Sequence, residues 1–200
     1  MLHTFYPVLP DFGWLERLVP LGVKTVQLRL KDATAEEIER QIAASLELCA
    51  KHDCQLIVND YWREAIALGA DYIHLGQEDL AAADLGAIKQ ANLKLGVSTH
   101  SHEELGIALK TTPDYVALGP VYETKLKKMK WAPQGLERVT EWKSLVSCPL
   151  VAIAGLTVER APDVLAAGAD SLAVVTDIVT SDNPEKRVGE WLEVVSVTNG

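Results

Sequence analysis

Eight short apolar runs, spread along the whole chain and separated by stretches of helical spacing, constrain this fold more than any other feature. They occupy 5–9, 24–28, 55–58, 71–75, 93–97, 115–118, 150–154 and 171–175. Short β-branched and aliphatic runs of this kind, followed by helix-like segments, read as parallel strands. Between them apolar residues recur at helical intervals, as in 34–50, where Ile38, Ile42, Leu46 and Cys49 alternate with Glu36, Glu37 and Glu39. Thr34 stands three residues before Glu37, a capping-box start. Further helices are expected after Asp84 and after Pro184. Eight strand–helix units in 200 residues predict a compact (β/α)8 TIM barrel, an α/β fold in one domain over 1–200. A doubly wound open sheet is the alternative, because alternation alone does not decide closure. A weak internal echo supports repeated units: Asp71, Asp114 and Asp170 each stand where a helix hands over to a strand.

Composition narrows the function. A hydrophobic share of 48% supplies one substantial core. The formal charge of −9 argues against nucleic acid as a partner and gives no reason to expect an anionic membrane surface. A polyanionic substrate therefore needs a local cation or a local basic cluster. No apolar run approaches the roughly 18 residues of a membrane span, and the opening residues carry Pro7, Pro10 and Asp11 rather than a signal sequence. Cys49, Cys54 and Cys148 are odd in number and none pairs at CxxC spacing, so the chain reads as cytoplasmic. GxGxxG and Walker sequences are both absent. A homo-oligomer remains compatible with all of this.

The candidate chemistry lies where strands end. The run ending at Val58 stops at Asn59-Asp60, and the run ending at Leu75 stops at Gly76-Gln77-Glu78-Asp79. If these strands are neighbours, about 4.8 Å apart, Asp60 and Asp79 open onto the same end of the sheet. Two carboxylates there suit Mg2+, which is held by one or two carboxylates plus substrate phosphates. The second run continues Gln27-Leu28-Arg29-Leu30-Lys31, and alternation sends Gln27, Arg29 and Lys31 to one side. Arg29 and Lys31, if buried there, require an anion: a salt bridge to a neighbouring strand satisfies one of them, and a diphosphate satisfies both. The stretch 119–135 is about twice the usual loop length and holds Lys125, Lys127, Lys128 and Lys130, so it is expected to meet phosphate. Gly155 and the pair Val175-Thr176 follow the last two strands, the usual phosphate corner of such barrels. His100 and His102 lack a paired carboxylate motif and are not read as catalytic.

Taken in order, Gln27-x-Arg29-x-Lys31, Asn59-Asp60, 74–79, Gly96-Val97-Ser98, Gly119-Pro120 with Thr124 and Lys127, and Gln134-Gly135 resemble the thiamine-phosphate synthase family over nearly the whole chain. The resemblance implies a (β/α)8 barrel that joins a pyrimidine diphosphate to a thiazole phosphate, releasing pyrophosphate. It implies that Gln27, Leu28, Arg29, Leu30, Lys31 and Asn59, with Ser98 and Lys127, hold the pyrimidine diphosphate. Arg29, Lys31, Lys127 and Ser98 would serve the departing group, and Asp60 and Asp79 would bind Mg2+. Thr124, Lys125, Leu126, Gly155, Val175 and Thr176 would form the thiazole phosphate site. The family usually has Thr where this chain has Leu126, and a Gly pair where it has Ala154-Gly155. The rivals are a tautomerase acting on thiazole phosphate alone and a non-catalytic regulatory barrel.

Overall fold

Each apolar run forms a strand, and the eight strands close on themselves. The computed structural model describes residues 2–124 and 131–198. The strands are β1 (Phe5–Leu9), β2 (Thr25–Leu28), β3 (Gln55–Asn59), β4 (Tyr72–Leu75), β5 (Lys94–Thr99), β6 (Tyr115–Leu118), β7 (Leu150–Ile153) and β8 (Ser171–Val174). All pair in parallel in sequence order, and β1 also pairs with β8 at Phe5↔Leu172, Tyr6↔Ala173 and Pro7↔Val174. That seam excludes the open sheet. Around it the chain is clasped again: Leu172 N–H donates to Thr4 C=O, the Ser171 hydroxyl donates to His3 C=O at 2.6 Å, and Phe5 stacks on Trp191 at 5.1 Å.

The helices lie outside as α1 (Phe12–Leu18), α2 (Ala35–Lys51), α3 (Trp62–Ala67), α4 (Gln77–Ala82), α5 (Leu85–Gln90), α6 (His102–Lys110), α7 (Gly135–Leu145), α8 (Ala161–Ala166), α9 (Thr176–Val179) and α10 (Pro184–Thr198). In α2 the expected stripe is the one that faces the strands, with Ile38, Ile42 and Cys49 buried. Each fully buried aliphatic side chain of this kind contributes roughly 1.5–3 kcal/mol. The capping box is only half made. Thr34 Oγ1 accepts from Glu37 N–H at 3.3 Å, but the Glu37 carboxylate accepts from Arg40 and Gln41 instead of turning back.

Alternation on the strands separates two cores. Val26, Leu28, Val58, Ile73, Leu75, Val97, Val116, Leu118 and their like pack under the helices. Tyr6, Val8, Ile57, Tyr72, Tyr115, Ala117, Val151 and Ala173 fill the barrel interior. Gly96 faces that interior because Tyr115 crosses it: a Cβ at Gly96 would lie 1.9 Å from Tyr115 Cζ. The repeated aspartates belong to the opposite end. Asp114 Oδ2 accepts from Leu95 N–H at 2.8 Å and Asp170 Oδ2 from Leu150 N–H at 2.7 Å, each satisfying the start of a neighbouring strand. Among the described residues no helix is long and apolar enough to cross a membrane.

Candidate active site

The mouth is formed where β2 to β5 end. Gln27 points inward and is buried, whereas Leu28 and Leu30 belong to the core under the helices. These two leucines, expected among the substrate-contacting positions, therefore present only backbone to the mouth. Arg29 N–H donates to Leu9 C=O at 2.8 Å, which carries the alternation one residue past β2 and keeps Arg29 on the side of Gln27. The burial argument for Lys31 does not hold: Lys31 is exposed and Arg29 only half-buried, so no anion is needed to balance a desolvated lysine. Both remain free to meet one.

β3 and β4 are neighbours, with Asn59 opposite His74. Asp60 follows directly, and its N–H donates to His74 C=O at 3.0 Å. It adopts φ +67°, a left-handed turn that Asp tolerates better than most residues. Asp79 lies in the first turn of α4 rather than at the strand end. The Asp79 carboxylate nonetheless lies near enough to Asp60 for its charge to act there, with the Asn59 amide beside them. Burial, then the Asp79 charge, push Asp60 up to about 6, opposed by the nearby Arg29 guanidinium. Two carboxylates that repel each other, Asp60 half-buried and Asp79 exposed, form a donor set short of a cation. That fits Mg2+, and Asp60 and Asp79 are the residues that would hold it, sharing it with substrate phosphate oxygens. Among the described residues no group of three or more His, Cys, Asp or Glu gathers, so a closed zinc-type site has no ligands here.

A pH dependence follows. Asp60 has a folded-state pKa above its unfolded value, so the folded protein holds the extra proton between about 4 and 6. The stability this provides is present below pH 4 and lost as pH rises through 6. Metal-free protein is expected to melt lower at pH 7 than at pH 5, and Mg2+ to raise the melting temperature more at pH 7 than at pH 5. A Mg2+ shift equal at both values would count against the pair as its ligand.

Ser98, on β5, is tied to this end of the barrel through His74 and Gln77. Its hydroxyl meets His74 Nε2 at 2.8 Å, and its carbonyl accepts from Gln77 Nε2 at 2.7 Å. Gln77 is thus turned to β5 and braces Ser98 rather than joining the carboxylates. His74 Nδ1 meets the Tyr115 hydroxyl at 2.8 Å. Burial, with Arg29 beside it, lowers His74 to about 4 and keeps it neutral. His74 and Tyr115 are the residues sequence reasoning missed. The available signal was period-2 alternation, which sets His74 on the side opposite Ile73 and Leu75. His100 and His102 stand elsewhere. His100 Nδ1 is held by Glu104 at 2.7 Å and its ring stacks on Trp131, while His102 meets Glu141 on the helical exterior.

On the opposite rim, the chain after β6 runs along the end of β7: Val121 N–H donates to Ile153 C=O and Tyr122 N–H to Ala154 C=O. Gly155 fits only as glycine, since a Cβ would lie 2.6 Å from Glu123 O. This packing brings Thr124 next to Gly155. Arg160 Nη1 donates to Gly155 C=O at 2.5 Å and its guanidinium lies 4.3 Å over the Tyr122 ring. Val175 caps α9, which starts at Thr176 and is anchored by Asp177 to Arg187 and Trp191. Lys125, Leu126 and Lys127 lie outside the described residues. Ala154 adopts φ +74° and Gly155 φ +69°. Left-handed backbone costs a non-glycine residue about 1–2 kcal/mol, against roughly 0.5–1 kcal/mol of chain entropy for glycine. Ala154→Gly is therefore expected to raise stability by up to about 1 kcal/mol, read as a higher urea midpoint at unchanged slope.

Comparison with known proteins identifies the family. The family model described as thiamine monophosphate synthase matches residues 9–178. The chain belongs to the thiamine monophosphate synthase family. A thiamine-phosphate synthase of Rhizobium etli is 58% identical over 192 residues, covering 96% of this chain and 94% of that protein. One from Salmonella choleraesuis is 46% identical over 193 residues, covering 96% and 92%. Among solved structures, a thiamine phosphate pyrophosphorylase from Pyrococcus furiosus superposes with a TM-score of 0.87 at 27% identity, covering 98% of this chain and 97% of that one. A 3-hexulose-6-phosphate synthase from Salmonella typhimurium shares the fold at a TM-score of 0.68 and 12% identity. Membership in the synthase family makes the chain a transferase acting on small molecules.

Proposed function

We propose that the mouth condenses 4-amino-2-methyl-5-(diphosphooxymethyl)pyrimidine with thiazole phosphate, giving thiamine phosphate and pyrophosphate. The observation that carries the reading is the nearness of Asp60 and Asp79, with Arg29 close to both Asp60 and His74, and His74 bonded to the Ser98 hydroxyl. Cationic and anionic groups converge there as a diphosphate with a bound cation requires. The methylene C–O bond breaks and its electron pair leaves on pyrophosphate. The thiazole nitrogen gives its lone pair to the same carbon, so the new bond replaces the old one and no proton moves. The protein needs neither a nucleophile nor a general base, which suits a buried His74 whose partners are two hydroxyls rather than a carboxylate.

Catalysis then rests on positioning and on charge stabilisation at the leaving group. Arg29 supplies a planar fork and Lys31 a point charge to the diphosphate. Mg2+ on Asp60 and Asp79 would add further positive charge at its oxygens. Gln27 and Asn59, buried at the mouth, have amides to orient the pyrimidine half. The corner at Thr124, Gly155, Val175 and Thr176 takes the thiazole phosphate, through backbone N–H groups at the start of α9. The test is pyrophosphate release with both substrates, against each alone. Release only from the pair is expected. Turnover of thiazole phosphate alone would assign a tautomerase, and binding without release a regulatory barrel.

A further inference from the structure

We propose that Tyr115, His74 and Ser98 form a one-way chain of hydrogen-bond donors running from the barrel core to its mouth, with the His74 proton on Nε2, so that the Ser98 hydrogen is left free for the anionic substrate. This rests on the diphosphate reading of the mouth given above. The three groups are connected end to end. The Tyr115 hydroxyl meets His74 Nδ1 at 2.8 Å, and His74 Nε2 meets Ser98 Oγ at 2.8 Å. Tyr115 is 0% exposed and His74 is 7% exposed, so the chain has few solvent partners to choose from. The ring of His74 also stacks on Tyr115 at 5.6 Å, which fixes its orientation.

Direction follows from counting protons. A neutral imidazole has one N–H and one lone pair, so it donates to one neighbour and accepts from the other. If Nδ1 carried the proton, it would donate to Tyr115, and Nε2 would accept the Ser98 hydrogen. Ser98 would then offer the mouth only lone pairs, which a phosphate oxygen cannot use. With the proton on Nε2, Ser98 accepts from His74 and donates outward. Tyr115 then donates to Nδ1, and each hydrogen of the chain points toward the mouth. Chained donors polarise one another, so the inner hydroxyl strengthens the outermost bond. His74 is thus a positioning residue that acts through Ser98, and Gly96 makes the arrangement feasible by leaving room for the Tyr115 ring.

The experiment is nitrogen-15 NMR of histidine-labelled full-length protein with Mg2+ and inorganic pyrophosphate, joined to a double-mutant cycle on turnover. The His74 proton is expected on Nε2. Tyr115→Phe, which keeps the ring, is expected to lower kcat about tenfold, equivalent to one lost hydrogen bond, with KM for thiazole phosphate unchanged. In a Ser98→Ala background the same substitution is expected to cost almost nothing, because the chain no longer reaches the substrate. A proton on Nδ1 in the pyrophosphate-bound protein would overturn the proposal, as would a full Tyr115→Phe penalty in the Ser98→Ala background. Failure of the underlying reading looks different: the unaltered protein would then release no pyrophosphate from the paired substrates, whatever the His74 tautomer.

Discussion

Asp60→Ala and Asp79→Ala are each expected to lower kcat by on the order of 10²-fold, through loss of charge stabilisation at the departing pyrophosphate. The two carboxylates lie near each other at the mouth, so each alone is an incomplete cation site. Raised Mg2+ is therefore expected to recover part of the activity of either single variant and none of the double. The variants also separate a metal role from a structural one. Asp60 is strained by its neighbour's charge, so replacing Asp79 removes repulsion and should leave the protein at least as stable near pH 7 in the absence of metal. Kinetics across a Mg2+ titration, with melting curves at each point, check both halves. Near-normal turnover of both single variants without added metal would remove Asp60 and Asp79 from the leaving-group chemistry.

Gly155→Ala is the second large effect. The added methyl group would meet Glu123 O at 2.6 Å and the Tyr122 backbone at 2.7 Å, and main-chain atoms cannot rotate away as a side chain can. The residue also sits at φ +69°. Left-handed strain of about 1–2 kcal/mol adds to an overpacking cost of roughly 1–3 kcal/mol. The loss is expected to appear in the urea midpoint. Relief requires the 121–124 strip to move away from β7, which opens the corner assigned to thiazole phosphate. KM for that substrate should therefore rise severalfold, while KM for the pyrimidine diphosphate, whose proposed site lies across the barrel at Arg29, changes little. Equal rises in both would place the corner outside the thiazole phosphate site.

The strands were legible because a parallel barrel buries both faces of each strand, leaving short apolar runs that hardly depend on tertiary detail. The helix caps at Thr34 and Asp84 were legible for a similarly local reason, as each side-chain oxygen meets an N–H three residues on. Closure was not legible. It depends on whether Phe5–Leu9 meets Ser171–Val174, a pairing across almost the whole chain that no local pattern records. In the site, alternation correctly set Gln27 and Arg29 on one side, but exposure at a mouth depends on how far the following loop folds back. Lys31 was misjudged for that reason. The Asp60–Asp79 pairing could be anticipated only as a consequence of strand adjacency. His74 escaped because a lone histidine in an apolar run has no recognisable motif. Its importance comes from Ser98 and Tyr115, which lie 24 and 41 residues away in the chain.

The seam between the first and last strands also sets the order in which this protein can become functional. As the chain emerges from the ribosome, seven strands can pair with a neighbour already made, but Phe5–Leu9 keeps one bare edge until Ser171–Val174 arrives. That contact spans the largest sequence separation in the barrel, and long-range pairing of this kind is slow to form. Until it does, two unpaired backbone edges face each other or a second molecule, a template for association between chains. Val175 and Thr176 follow directly on that late strand. A nascent chain can therefore have its carboxylate pair, Arg29 and Ser98 complete while the rim that receives the second substrate is still missing.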